Sequence, residues 1–406
     1  MGRTWNFLTL FAVLLAACTG QTQQPKTQDT SATLKAESWL EADGLFSNNP
    51  NTPQWKGADV ANSVALEDER ILWVFGDTLL GEPGINNCSR FDEFNLTVHN
   101  SLAIQSGANP AAADIDHFWG IRNGEPASFF SPADIGATWY WMGGVTVLEN
   151  QVLVFLMHAR SNVDMEPKSD PAAACAGLNF EVLGWDARIA NITEQAPDQW
   201  HWREVGLPDD TNWHGILAGS STAYVEDNYL YAWSAGPATL DGNPVFLARW
   251  PLATAKAADL SEPEWHTTAG WKTQSELGNQ TFAAIVKDGN NEVSIGRDIF
   301  PDSEPAWWWL QSSTVINSRL CYRTGESHFE FSECRDFMTP PELYKYPESK
   351  LLVYAVKLHP ALKDPGDDAA IATYVVNSCD LKDIQEKCDL YYPRFIKLRL
   401  EDLGSE

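Results

Sequence analysis

Gly144-Val145-Thr146-Val147-Leu148-Glu149-Asn150-Gln151-Val152-Leu153-Val154-Phe155-Leu156-Met157 reads as a β-hairpin turning at Glu149-Asn150. Its second arm, residues 152–157, is apolar at every position. Successive side chains of a strand point to opposite faces, so both faces of this arm must be buried. A β-sandwich strand usually keeps one face wet and alternates cleanly. A strand without alternation belongs between two neighbouring layers.

The pattern recurs outward from this hairpin. Runs 63–66 and 71–75 flank a turn at 67–70, and runs 221–225 and 229–233 flank one at 226–228. Runs 281–286 and 292–295 flank a turn at 288–291, and runs 343–346 and 351–356 flank one at 347–349. The five hairpins lie about 60–80 residues apart, each followed by a further strand-like run. Aromatic residues make up 12% of the chain, with 18 Trp, and helical periodicity is nearly lacking. The reading is an all-β fold, a five-bladed β-propeller, with two β-sandwich domains as the alternative. Residues 381–386 alone read as a helix.

The N-terminus reads as an export signal. Arg3 precedes an apolar run at 7–15, too short to span a bilayer, and Leu15-Ala16-Ala17-Cys18 follows. Small residues before a Cys form the lipobox of a bacterial lipoprotein. Cleavage would leave Cys18 lipidated, after a signal peptide at 1–17. An ordinary secretory signal with a chance Cys is the alternative. Residues 18–38, rich in Gln, Thr and Ser, read as a flexible tether, and 39–406 as the propeller domain. Thr19 after the Cys points to the outer membrane. The expected membrane contact is the lipid anchor alone, and a monomer is expected. A net charge of −27 opposes nucleic-acid binding, which needs a basic surface.

Six cysteines follow Cys18: Cys88, Cys175, Cys321, Cys334, Cys379 and Cys388. An even count in an exported chain predicts disulfides. Short separations favour Cys321–Cys334 and Cys379–Cys388, which leaves Cys88–Cys175. Zinc is the rival use, but no C-x-x-C occurs and no His stands at a ligand spacing. No metal site is expected, and the sequence names no cofactor.

Asp59 precedes the first arm of the 63–75 hairpin and Asp77 follows the second. Opposed residues of an antiparallel pair have a nearly constant sum, which sets Asp59 opposite Asp77, about 4.5–5.5 Å apart at Cα. Two facing carboxylates repel. Either one stays protonated, or a cation lies between them, or each caps a loop and points away. The same arithmetic sets Trp141 opposite His158 and puts His359 after the last hairpin. Acids, imidazoles and an aromatic face at one mouth are what a sugar site needs.

These residues carry a resemblance. Gly57-Ala58-Asp59, then Ile71-Leu72-Trp73-Val74-Phe75-Gly76-Asp77-Thr78 and His99-Asn100-Ser101 resemble the opening of a propeller family long known only as a domain of unknown function. Its clan contains β-fructosidases and arabinanases, and the family includes enzymes that cut D-arabinan inside the chain. Leu247-Ala248-Arg249-Trp250-Pro251-Leu252, Tyr354-Ala355-Val356-Lys357-Leu358-His359-Pro360, Tyr374-Val375-Val376-Asn377-Ser378 and Tyr391-Tyr392-Pro393-Arg394-Phe395 are similar to its later strands. The stretch 162–213 departs from it. The resemblance implies that Asp59 and Asp77 are the functional acids.

The function expected is a glycoside hydrolase acting on a polysaccharide, such as a furanose-containing glycan. Closely spaced carboxylates, about 5–5.5 Å apart, would favour a retaining enzyme, with one Asp as nucleophile and the other as acid/base. An acid from another blade would instead allow the wider spacing of an inverting enzyme, and Glu276 is the candidate for that third acid. Trp141 would stack on a sugar, and Asn100, His158, His359, Asn377 and Arg394 would bind substrate. A non-catalytic glycan-binding lipoprotein is the rival, and a scaffold propeller a third reading.

Overall fold

The computed structural model describes residues 32–47, 51–81, 96–134, 137–161, 180–239, 242–278, 282–300, 306–387 and 389–402. Cys18, Cys88, Cys175 and Cys388, the signal segment and most of the tether lie outside the described residues. The fold is all-β. Among the described residues no helix is long and apolar enough to cross a membrane.

Five antiparallel sheets of four or more strands follow one another along the chain. The first contains Asn62–Ala65, Arg70–Phe75, Ser101–Ser106 and Asp114–Phe118. The second contains Thr138–Leu148, Gln151–Ser161, Phe180–Asn191 and Arg203–Glu204. The third is built on Leu217–Glu226, Tyr229–Ala235, Asn243–Pro251 and Glu264–Thr267. The fourth contains Ser294–Arg297, Trp307–Ser312, Leu320–Gly325 and Arg335–Met338. The fifth takes Leu351–Leu358, Ala370–Ser378 and Arg394–Asp402 from the C-terminal part, and Ala32–Ser38 from the start of the chain.

The two-faced strands explain the stacking. Val152, Val154 and Leu156 share a core with Leu72, Val74 and Leu102 of the first sheet. Leu153, Phe155 and Met157, on the other face, share one with Leu230, Ala232 and Trp250 of the third. Tyr231, Trp233 and Leu247 then pack with Ile295, Trp307 and Trp309 of the fourth sheet. Leu310 and Leu320 pack with Val353, Tyr374 and Val376 of the fifth. Ile371 and Phe395 of the fifth join Ile71, Trp73 and Phe75 of the first. Each such buried side chain contributes about 1.5–3 kcal/mol of transfer free energy.

Several expectations need correction. Residues 32–38, read as tether, pair with Arg394–Asp402 in continuous register from Ala32 opposite Asp402 to Ser38 opposite Ile396. The expected fourth hairpin is split: Val286–Gly289 pairs back to the third sheet, while Ser294–Arg297 opens the fourth and pairs with Trp307–Ser312. The expected first arm of the fifth hairpin is the short helix Pro341–Lys345, because Pro340-Pro341 favours a helix start there. Leu351–Leu358 is therefore the first strand of its sheet and pairs with Ala370–Ser378. The helix Leu381–Glu386 is present, joined by others such as Leu40–Ser47 and Gln274–Leu277.

Cys321 and Cys334 form a disulfide. Cys379 is also disulfide-bonded, to a partner outside the described residues. Peptide mapping without reduction is expected to recover a Cys379–Cys388 bridge. A link from Cys379 to Cys88 or Cys175 would refute that pairing.

Candidate functional site

The first hairpin runs on beyond its sheet. Asn62 pairs with Val74, and Ala58 pairs with Thr78 in a small second ladder made by Trp55–Ala58 and Thr78–Leu80. The sum of opposed numbers is the same in both ladders, so Asp59 and Asp77 face each other at the gap between them. Val60 and Ala61 cross that gap with φ of 64° and 51°. Left-handed backbone is unusual for a β-branched residue and costs about 1–3 kcal/mol, a strain typical of functional sites.

Gly76 is required by the carboxylate. A Cβ at this position would lie 2.3 Å from Asp59 Oδ1 and 2.8 Å from Val60 Cγ2. Thr78 Oγ1 donates to the Gly76 carbonyl at 2.9 Å and meets Ser101 Oγ at 2.7 Å, which fixes the Gly76-Asp77 corner against the next strand.

The two acids differ in surroundings. Asp59 Oδ2 accepts from Tyr354 Oη at 2.8 Å. Tyr391 Oη lies 3.3 Å from the same oxygen and 3.1 Å from the Asp77 carbonyl oxygen, so one proton serves both. Burial, then the charges of Asp77 and Glu292, hold the Asp59 carboxyl well above the ordinary carboxylate range, against the pull of the two tyrosines. Asp77 Oδ1 sits 2.7 Å from Trp141 Nε1, which donates to it, and 2.8 Å from His99 Nδ1. The His99 ring stacks on Trp139 at 4.6 Å, and Trp141 meets the exposed Phe180 edge to face at 4.6 Å.

A third acid reaches this centre from the fourth sheet. Glu292, just before Ser294–Arg297, lies 3.5 Å from Lys357 Nζ on the fifth sheet. Lys357 is 1% exposed. Burial raises the Glu292 carboxyl and lowers the Lys357 ammonium, and each opposes the other's shift. Asp59 also holds up the Lys357 charge. Among the described residues no cluster of three His, Cys, Asp or Glu could hold a metal ion. A separate cavity of about 790 Å³, lined in part by Asn109, Arg297 and Lys363, includes none of these acids.

Of the expected residues, Asp59, Asp77 and Trp141 meet here, and Asn377 supports them by donating to Tyr354 Oη at 3.2 Å. Trp141 stands opposite Met157, and Tyr140 opposite His158, because a bulge between Met142 and Val145 shifts the register by one. His158 contacts Thr138 at 2.8 Å instead. Glu276 is spent elsewhere: its Oε2 accepts from the Thr273 backbone N–H at 2.9 Å in a capping box, which lowers its pKa.

Asn100 is fully buried and fully used, donating to the carbonyls of Phe130 and Tyr140 and accepting from Phe130 N–H. His359 is buried between Ser63 Oγ at 2.6 Å and Thr373 Oγ1 at 2.8 Å, and burial pushes it down to about 3. Arg394 is buried against Asp43 at 2.9 Å and Glu342 at 3.5 Å. None of these three has a group to offer a sugar. His99, Tyr354, Tyr391, Glu292 and Lys357 were missed, although four of the five lie inside the motifs quoted above.

Solved structures of similar shape exist. A candidate hydrolase from Bacteroides ovatus is 17% identical, with a TM-score of 0.63 over 90% of each chain. A family 117 glycoside hydrolase from the marine bacterium Zobellia galactanivorans is 11% identical, with a TM-score of 0.47 over 93% of this chain and 94% of that one. An α-L-arabinofuranosidase from Lactobacillus brevis is 11% identical, with a TM-score of 0.44 over 87% and 93%. The first likeness concerns the fold alone, and the other two are too distant to carry an argument. No curated protein matches the chain in sequence. Residues 44–400 match the family described as Domain of unknown function (DUF5005), and the chain belongs to that family.

Proposed function

We propose that this chain is a lipid-anchored glycoside hydrolase, built as a five-bladed β-propeller, that cuts a furanose-containing polysaccharide. The cyclic order of the five sheet interfaces supports the blade count. One observation carries the chemistry: Asp59, whose carboxyl is held well above the ordinary carboxylate range by burial and by the charges of Asp77 and Glu292, faces Asp77, whose Oδ1 accepts from Trp141 Nε1 and lies 2.8 Å from His99 Nδ1. Glycosidic cleavage needs such an unequal pair, an acid to protonate the leaving oxygen and an anion beside the developing oxocarbenium charge. Trp139, Trp141 and Phe180 offer aromatic surface for a sugar ring beside the pair.

The test is release of reducing ends from a panel of arabinans and other furanose-containing glycans. Cleavage of at least one by the wild type, lost in Asp59→Asn, is the expected result. Binding without cleavage would favour the glycan-binding reading instead.

The anchor is part of the same proposal. Cys18→Ala is expected to abolish fatty-acid labelling and to release the protein from the membrane fraction or leave its signal uncleaved. Normal labelling and membrane association of the variant would refute it.

A further inference from the structure

Beside the two acids stands a histidine that the paired-carboxylate reading does not use. His99 Nδ1 is 2.8 Å from Asp77 Oδ1, and the His99 backbone N–H donates to Ser128 Oγ at 2.9 Å. The ring lies flat on Trp139, 4.6 Å between centroids and 20° between planes. These contacts fix the ring plane and, among the described residues, engage only one nitrogen. The His99 side chain keeps 37% of its surface exposed, against 1% for the buried His359. An imidazole whose Nδ1–H is held by a carboxylate presents a lone pair on Nε2. That is the arrangement by which a carboxylate orients a histidine base and steadies the imidazolium it becomes. The Trp141 N–H on the same Asp77 oxygen keeps that oxygen in place for His99.

The geometry points to His99 as a further catalytic residue, its Nε2 taking the proton of the attacking water while Asp77 orients the ring from behind. This rests on the hydrolase reading and deepens it. The water oxygen forms a bond to the anomeric carbon as its proton passes to Nε2. The glycosidic C–O bond breaks, its electron pair stays on the leaving oxygen, and that oxygen takes the Asp59 proton. Solvent then carries the proton from the His99 imidazolium back to the Asp59 carboxylate. Water enters on the face opposite the leaving group, so the product has inverted configuration. This replaces the retaining outcome expected from the closeness of the two aspartates.

The test is His99→Asn in the full chain. The Asn amide N–H can still reach Asp77 from near the place of Nδ1, but nothing remains to take a proton at Nε2. The probe is a dinitrophenyl arabinofuranoside, whose leaving group needs no acid. His99→Asn is expected to slow its hydrolysis about 10²-fold or more, the usual contribution of a general base. Added imidazole should restore part of the rate, and NMR of the first-formed wild-type sugar should show the inverted anomer. Near wild-type activity of a folded His99→Asn, or a retained anomer, would overturn the inference and leave Asp77 acting directly. A wild type that cleaves neither this probe nor any polysaccharide of the panel would overturn the hydrolase reading itself.

Discussion

Asp77→Asn is expected to lower kcat/KM on the polysaccharide cleaved by the wild type by about 10³-fold or more, on the order of 4 kcal/mol of lost transition-state stabilisation. Its melting temperature should stay the same or rise. The amide is nearly isosteric, and its oxygen can still accept from Trp141 Nε1 and from an Nδ1–H of His99, so the local fold is kept. What disappears is the negative charge. Without it neither a developing oxocarbenium nor an imidazolium at His99 has a counter-ion. The same charge is one of the causes that hold the Asp59 carboxyl above the ordinary carboxylate range, so its loss relieves a repulsion in the resting protein. An Asp that merely caps a loop behaves in the opposite way: its removal costs about 0.5–2 kcal/mol of stability and spares the chemistry. Kinetics and thermal melts on one sample of the variant separate the two cases. Full activity with a lowered melting temperature would show that Asp77 is structural.

Lys357→Met should destabilise the fold by about 3–5 kcal/mol at neutral pH, because it strands a buried carboxylate. Glu292 and Lys357 lie 3.5 Å apart, and neither Glu292 Oε2 nor Lys357 Nζ has a close hydrogen bond among the described residues. The pair is held by charge, and burial already raises the Glu292 carboxyl. Removing the ammonium raises it further. A carboxyl whose folded pKa lies above its unfolded value loses stability as pH rises through the folded pKa. The deficit of Lys357→Met against the wild type should therefore be largest at neutral pH and above, and shrink as acid protonates Glu292. The double variant Lys357→Met with Glu292→Leu should recover most of the loss, since apolar residues of similar volume replace buried pairs at little cost. Denaturant melts from pH 4 to 8 read all three outcomes. A single variant as stable as the wild type at neutral pH would show that water reaches the pair.

The Tyr391-to-Phe395 motif shows how much of this site was legible. The resemblance marks it as a closing element of the family, and Arg394 is the residue that sugar chemistry suggests. In the structure Tyr391, at φ 62°, reaches Asp59, while Arg394 turns to Asp43 and Glu342 in a buried ion pair. The Tyr354-to-Pro360 motif repeats the lesson. Tyr354 and Lys357 face the acids, and His359, the more suggestive residue, is sealed in the core. In His99-Asn100-Ser101 the buried Asn100 staples two carbonyls and its neighbour His99 meets Asp77. The right segments could be found, because the family resemblance runs over whole motifs. The right member of each could not.

Two features needed nothing beyond the sequence. The unbroken apolar arm at 152–157 requires burial on both faces, so sheets must stack on sheets. The constant sum of opposed residue numbers sets Asp59 against Asp77, because hairpin register is fixed by a turn only a few residues long. Tertiary structure decided the rest. The bulge between Met142 and Val145 and the left-handed Ala355, at φ 51°, each shift a strand by one residue, and a shift of one sends every later side chain to the other face. Glu292 stands just before the first strand of the fourth sheet and Lys357 on the fifth, 65 positions apart in the chain, and no local pattern records that they meet. Their pairing is settled by which sheet packs on which, and that depends on the whole apolar surface being buried at once.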